Sequence, residues 1–269
     1  MSKIIFISGS TDGIGLETAK NLVSLGHHVL LHGRNAQKLS DVEQALAALS
    51  GDGRLETYRA DLSSLVEVDD LADEVLARHP HLDVIINNAG VYTSSQPITA
   101  DGLDVRFAVN TIAPYRLTQR LLPFIREGGR VINLSSAAQS TVELSALAGE
   151  RRLTDSAAYA QSKLALTMWS RSLGLARGGD GPVVVAVNPG SLLGTKMVRE
   201  AFGRVLADVS VGAEILVRAA LSPEFADSGG QYFDNDQGRF APPHPDALDP
   251  LLCQKVVEQI EAILQETTR

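Results

Sequence analysis

The segment "YAQSK", Tyr159 to Lys163, sets a phenol and an ammonium four residues apart in a stretch that reads as helix. Side chains at i and i+4 share one helix face a turn apart, so both groups could act on one ligand. Many helices carry such a pair for packing and solubility alone, so the pair needs support from the rest of the chain. Near the N-terminus, "SGSTDGIG" (8–15) carries Gly9, Gly13 and Gly15, with Ser10, Thr11, Asp12 and Ile14 between them. Glycines at a strand-to-helix turn let backbone N–H groups approach an anion, and the helix N-terminus adds partial positive charge. A dinucleotide pyrophosphate suits such a cradle. The spacing G-x-x-x-G-x-G departs from the common G-x-G-x-x-G, and a Gly-rich turn without a ligand is the competing reading. The next strand ends "HGRN", where an NAD site usually places a carboxylate for the ribose 2′-OH. Arg34, followed by Asn35, offers instead a guanidinium that could pair with a 2′-phosphate, so NADP(H) is expected over NAD(H). The alternative is a solvated arginine at a strand end. Asp12 does nothing for an extra phosphate.

Apolar runs alternating with amphipathic segments must position these groups. Strands are expected at 3–9, 27–33, 54–60, 82–88, 130–136, 183–188 and 230–234. Helices are expected at 13–26, ending on Gly26, over "NAQKLSDVEQALAALS" with Leu39, Val42, Leu46 and Leu49 on its buried face, and around Leu65–Ala77. Further helices are expected around Asp101–Ile125, around Tyr159, over Val211–Leu221 and at the C-terminus. Pro114 should kink the fourth helix or loosen one turn. Near-continuous apolar strands separated by helices require a parallel sheet covered on both faces. The fold class is therefore α/β, a Rossmann-type doubly wound sheet of about seven strands in a single domain spanning 1–269. The "GGDGP" loop (178–182) and the Pro-rich tail "GRFAPPHPDALDP" read as punctuation.

Among 269 residues, 44% are hydrophobic and 21% charged, which argues against extensive disorder. A net charge of -8 disfavours a general nucleic-acid binder, which would need clustered Lys and Arg. Cys253 is the only cysteine, so no internal disulfide can form, and a reducing compartment is the simplest setting. The opening "MSKIIFISGS" lacks the pattern of a secretory signal, and no apolar stretch is long enough for a membrane span; a cytoplasmic protein is expected. No G-x-S-x-G elbow and no Gly-Lys pair of a P-loop occurs. Histidines 27, 28, 32, 79, 81 and 244 show no zinc-like grouping, so no metal is expected.

With "SGSTDGIG", "NNAG" (87–90), "NLSS" (133–136), "YAQSK" and "NPG" (188–190) in order along a βα series, the chain resembles the short-chain dehydrogenase/reductase family over nearly its whole length. The long gap from Ser136 to Tyr159, the "GRN" and the ending "GQYFDNDQGRFAPP" look like its retinol-dehydrogenase-like branch. The resemblance implies that Tyr159 exchanges a proton with a substrate oxygen while hydride passes between nicotinamide and an alcohol or carbonyl carbon, of an apolar molecule in many members of that branch. It implies that Lys163 lowers the Tyr159 pKa and holds the nicotinamide ribose, that Ser136 (or Ser135) binds the substrate oxygen, and that Asn110 helps position Lys163. It also implies Asp61 and Leu62 beside the adenine, and Asn88, Ala89 and Gly90 under its ribose. Pro189, Gly190 and Thr195 would meet the nicotinamide, although "PGSLLGT" is one residue longer than the frequent P-G-x-x-x-T. Asp61 or Ser63 could instead cap the following helix. Family members commonly pair through the fourth and fifth helices, so a homodimer or homotetramer is expected. The rival is a cofactor-binding regulator without turnover, which would have no need of Asn110, Ser136, Tyr159 and Lys163 together.

Overall fold

A computed structural model describes residues 2–49, 51–178 and 181–267. Ser50, the end of the second expected helix, and Gly179 and Asp180 of the expected 178–182 loop lie outside them. The strands are β1 Ile4–Ile7, β2 His28–Gly33, β3 Arg54–Arg59, β4 Leu82–Asn87, β5 Ile125–Leu134, β6 Val183–Asn188, β7 Tyr232–Asp234 and β8 Arg239–Ala241. They form one sheet in the order β3-β2-β1-β4-β5-β6-β7-β8, parallel throughout except for β8, which pairs antiparallel with β7. The sheet thus has eight strands rather than seven. The eighth was hidden in "RFA", a three-residue strand beside two prolines whose apolar signal is too short to stand out.

Successive strand residues point to opposite faces, and both faces are apolar, which is what buries the sheet on two sides. Phe6, Leu30, Ile85, Val131 and Val184 pack into one core; Ile5, Ile7, Val29, Val84, Ile132 and Val185 pack into the other. The helices are α1 Gly13–Ser24, α2 Ala36–Ala47, α3 Leu65–Arg78, α4 Val105–Phe107, α5 Ala113–Leu121, α6 Leu144–Leu147, α7 Asp155–Arg177, α8 Lys196–Phe202, α9 Val209–Leu221, α10 Pro245–Leu248 and α11 Pro250–Thr267. Leu39 and Leu46 of α2 are buried as expected, but Leu49 lies past the helix end and is 46% exposed. The expected fourth helix begins at Val105 rather than near 101 and divides into α4, a π turn over Ala108–Ile112 and α5. Pro114 lacks the N–H that an unbroken α-helix would use, and the loosened turn lies just before it. The Ser136–Tyr159 gap holds one short helix, α6.

Thr154 caps α7 by accepting from the Ala157 N–H at 3.3 Å, and every residue from Gln161 to Ser170 is buried. That burial on every side anchors the middle of α7 in the fold, and with it the turn that carries Tyr159 and Lys163. On the outer side α11 packs against α7, and the Tyr115 hydroxyl of α5 donates to Glu261 of α11 at 2.8 Å. Among the residues of α5, Arg116, Gln119 and Arg120 alone are not buried, and both arginines pair with Asp69 of α3. Part of the surface expected to pair two copies, on α7 and at Tyr115 of α5, is therefore covered by the chain's own C-terminal helix. Among the described residues no helix is long and apolar enough to cross a membrane.

Candidate active site

Strand order reverses between β1 and β4, so the loops at their carboxyl ends diverge and open a crevice. The resulting cleft has a volume of about 890 Å³. Its floor is the turn after β1. Asp12 caps α1, accepting from the Gly13 N–H at 2.7 Å, while Thr11, Gly13 and Ile14 face the cleft. A Cβ on Gly15 would lie 2.4 Å from both Asn88 Nδ2 and the Gly9 carbonyl, and one on Gly9, at φ +65°, would lie 2.9 Å from Ala89 Cα. Glycine at these two positions lets the Asn88–Ala89 segment close onto the turn, where Asn88 Nδ2 donates to the Ser8 and Gly9 carbonyls at 2.9 Å each. Ser10 does not face the cleft: its hydroxyl is buried against the His32 backbone, accepting from the His32 N–H at 2.9 Å.

His32 fastens this floor. Its Nδ1 accepts from the Gly9 N–H at 3.1 Å, which leaves Nε2–H to donate to the Ala60 carbonyl at 3.1 Å. Those partners assign the neutral Nε2–H tautomer. Burial pushes the imidazole down to about 4, so it stays neutral at neutral pH. Nothing in the local sequence around His32 signals this role, which depends on the long-range partners Gly9 and Ala60.

At the end of the cleft beyond β2, Arg34 is exposed with Asn35, whose side chain caps α2 by accepting from the Lys38 N–H at 2.9 Å. Lys38 lines the same end and went unnoticed in the sequence, where it reads as an ordinary solvated helix position. Asp61 and Leu62 form the opposite wall. Asp61 accepts from the Ser63 N–H and hydroxyl at 2.9 and 2.8 Å, but the cap of α3 is Ser64 rather than Asp61 or Ser63.

At the other end, Tyr159, Lys163 and Ser136 meet. The Ser136 side chain lies close enough to the Tyr159 hydroxyl to act on its ionisation, whereas the buried Ser135 hydroxyl sits 2.6 Å from Thr167 Oγ1 on α7. Lys163 Nζ lies 5.8 Å from the Tyr159 ring centroid and donates to the Leu134 carbonyl at 2.7 Å. Burial pushes the Lys163 ammonium down to about 8. Burial also pushes the Tyr159 phenol up, opposed by the Ser136 side chain. The shift runs opposite to the lowering expected from Lys163, whose charge is not among its causes, because withdrawing the phenol from water disfavours its anion. The Tyr92 ring packs 4.9 Å from that of Tyr159, and Arg106, bonded to the Tyr92 carbonyl at 3.2 Å and to Asp155 at 2.7 Å, ties that loop to the start of α7.

Asn110, in the π turn, bonds Val91 rather than Lys163: Oδ1 accepts from the Val91 N–H at 2.8 Å, and Nδ2 donates to the Val91 carbonyl and to Ser162 Oγ, both at 3.0 Å. A Cβ on Gly90 would stand 3.5 Å from both Asn110 Oδ1 and Lys163 Nζ, so Gly90 keeps the space between them open. After β6, Pro189, Gly190 and Thr195 line the cleft, and Thr195 caps α8 while its methyl lies over Gly13. Asp236 braces this loop, accepting from the Ser191 N–H and hydroxyl at 2.8 and 2.6 Å and from Asn188 Nδ2 at 3.0 Å. Leu192 sits at φ +51°, a left-handed conformation that disfavours a branched side chain. Asp236 was missed because "DND" reads as a turn, and α8 because one short amphipathic turn between loops carries little periodic signal. The turn at one end, the basic pair Arg34 and Lys38 beside it and the Tyr159 cluster at the other fit an extended dinucleotide lying along the cleft.

Comparison with known proteins accords with this geometry. The "short chain dehydrogenase" family profile matches residues 3–205. Human polyprenol dehydrogenase is 31% identical over 87% of this chain and 77% of its own length, and mouse retinol dehydrogenase 12 is 30% identical over 87% and 78%. Among solved structures, a Mycobacterium paratuberculosis protein superposes with a TM-score of 0.80 at 26% identity, covering 98% of this chain and 93% of its own. A Burkholderia cenocepacia short chain dehydrogenase solved in complex with NADP gives 0.67 at 26% identity, covering 87% and 95%. The chain belongs to the short-chain dehydrogenase/reductase family of oxidoreductases acting on CH–OH groups, and to its retinol-dehydrogenase-like branch.

Proposed function

We propose that this protein is an NADP(H)-dependent oxidoreductase that interconverts an apolar alcohol and its carbonyl compound, with Tyr159, Lys163, Ser136 and Asn110 as its working set. The observation that carries the reading is the meeting of the Tyr159 and Ser136 hydroxyls at one end of the cleft, with the buried ammonium of Lys163 behind them. The nicotinamide cofactor, when bound, supplies or takes the hydride. Gly9, Gly13 and the N-terminus of α1 would hold its pyrophosphate, and Arg34 and Lys38 a 2′-phosphate. Ser136 Oγ and the Tyr159 hydroxyl hydrogen-bond the substrate oxygen and stabilise the charge that develops there. Tyr159 then gives its proton to that oxygen in reduction, or takes it in oxidation. The Lys163 ammonium stabilises the phenolate left behind, and Asn110 holds the Val91 backbone that borders the reacting end.

Support for an apolar substrate is the lining of the open end by Val91, Tyr92, Leu192, Leu193, Met197 and Val198. The test is a spectrophotometric screen of NADPH oxidation against long-chain and ring-bearing aldehydes, ketones and quinones. Turnover of apolar carbonyls supports the reading; NADPH binding with no turnover across the panel would leave the alternative, a non-catalytic NADP(H)-binding regulator.

A further inference from the structure

Far from the cleft, at the amino ends of the strands, three metal-ligating side chains converge that are scattered in the sequence. His28 opens β2, Glu56 lies within β3, the edge strand of the sheet, and His79 ends α3. Parallel pairing of β2 with β3 and the return of α3 alongside bring them together. His28 Nε2 lies 2.9 Å from Glu56 Oε1, and His79 Nε2 lies 3.1 Å from Glu56 Oε2. One donor atom from each residue falls within 4.8 Å of the others. The two imidazoles stand edge to face at 5.2 Å.

We infer that His28, Glu56 and His79 form a zinc site that fastens the edge strand β3 to β2 and to the end of α3. The detail that points to a cation is His28 Nε2. It is buried and close to a carboxylate oxygen, yet it makes no directed hydrogen bond. Ligands of a common ion behave this way, because each donor aims at the centre rather than at its neighbour. Tetrahedral zinc bonds of about 2.0–2.1 Å place ligand atoms about 3.3 Å apart, a little more than the two His–Glu distances and inside the 4.8 Å that bounds the whole set. Two imidazoles and one carboxylate are a zinc donor set rather than one for magnesium or calcium, which prefer oxygen alone. The Glu56 side chain is 32% exposed, which gives water access to a fourth position. The Tyr58 hydroxyl donates to Glu56 Oε2 at 3.0 Å and supports that ligand, while its 3.0 Å contact with His79 Nε2 is one the cation would displace. Against the cation stand Arg54, near His28, and Arg78, whose guanidinium lies 5.0 Å over the Tyr58 ring. The one carboxylate leaves the zinc-bound set with a net positive charge that these arginines oppose, so moderate rather than extreme affinity is expected.

The full chain, freed of any affinity tag and stripped with a chelator, is titrated with Zn²⁺ alone by calorimetry, with its melting temperature followed in parallel. One equivalent should bind and raise the melting temperature, and Co²⁺ in its place should show the visible absorption of a tetrahedral nitrogen–oxygen site. His28→Asn and Glu56→Gln should each weaken binding by roughly tenfold or more, whereas His81→Asn should not. Absence of a stoichiometric site in the parent protein, or equal binding by His28→Asn and the parent, would overturn the inference. If a variant does not fold, the Co²⁺ spectrum of the parent decides: a tetrahedral spectrum upholds the site and its absence refutes it. None of these readouts involves turnover, so the result stands apart from the proposed activity.

Discussion

Acid should loosen the Gly-rich turn through His32. Burial holds this imidazole at about 4 against an ordinary value of about 6.5, and its Nδ1 accepts from the Gly9 N–H, so protonation would set one N–H against another. The unfolded chain binds the proton that the folded chain refuses. Stability is therefore fully present above about pH 6.5 and is lost progressively as pH falls toward about 4. A gap of about 2.5 pKa units corresponds to about 3 kcal/mol, of which about 2 kcal/mol is lost between about pH 7 and about pH 5. Urea unfolding of the parent and of His32→Asn, which cannot titrate, isolates this contribution, because every other carboxylate and histidine is common to both. The variant should be the less stable protein at neutral pH, and its deficit should shrink by about 2 kcal/mol at about pH 5. A deficit that stays constant over that range would refute the reasoning.

Arg34→Asp should raise KM for NADPH roughly tenfold or more and move preference toward NADH, since one charge-assisted contact becomes a repulsion; unchanged preference in steady-state assays would remove Arg34 from the 2′-phosphate site. Lys163 acts as its ammonium, and burial holds it at about 8, so kcat/KM for carbonyl reduction should be level near neutrality and fall as pH rises past about 8. A profile flat well beyond that point would contradict the role given to its charge. Because α11 packs on α7 and Glu261 takes the Tyr115 hydroxyl, light scattering should find a monomer rather than a dimer paired through α5 and α7.

The sheet was legible because β1, β4 and β6, and the centres of β2 and β5, are short apolar runs, the signature of strands covered on both faces. The turn at 8–15 was legible because its glycines are forced by close backbone approach, and Tyr159 and Lys163 because a helix keeps i and i+4 on one face. What escaped depends on long-range packing. The direction of the Tyr159 shift depends on how deeply α7 sinks into the fold, which spacing does not encode. Which serine meets Tyr159 turns on one residue of strand register, and Asn110 reaches Val91 through a π turn that no periodicity announces. His28 and His79 meet only because α3 returns beside β3, so a search for local ligand spacing could not have joined them.

The most direct measurement compares the parent protein with Tyr159→Phe, recording NADPH affinity by fluorescence titration and turnover of an apolar aldehyde on the same preparations. Removing one hydroxyl that transfers a proton and contributes little to docking should abolish nearly all turnover while leaving NADPH affinity within about threefold. Undiminished turnover by the phenylalanine variant, or a parent protein that binds neither NADPH nor NADP, would contradict the account.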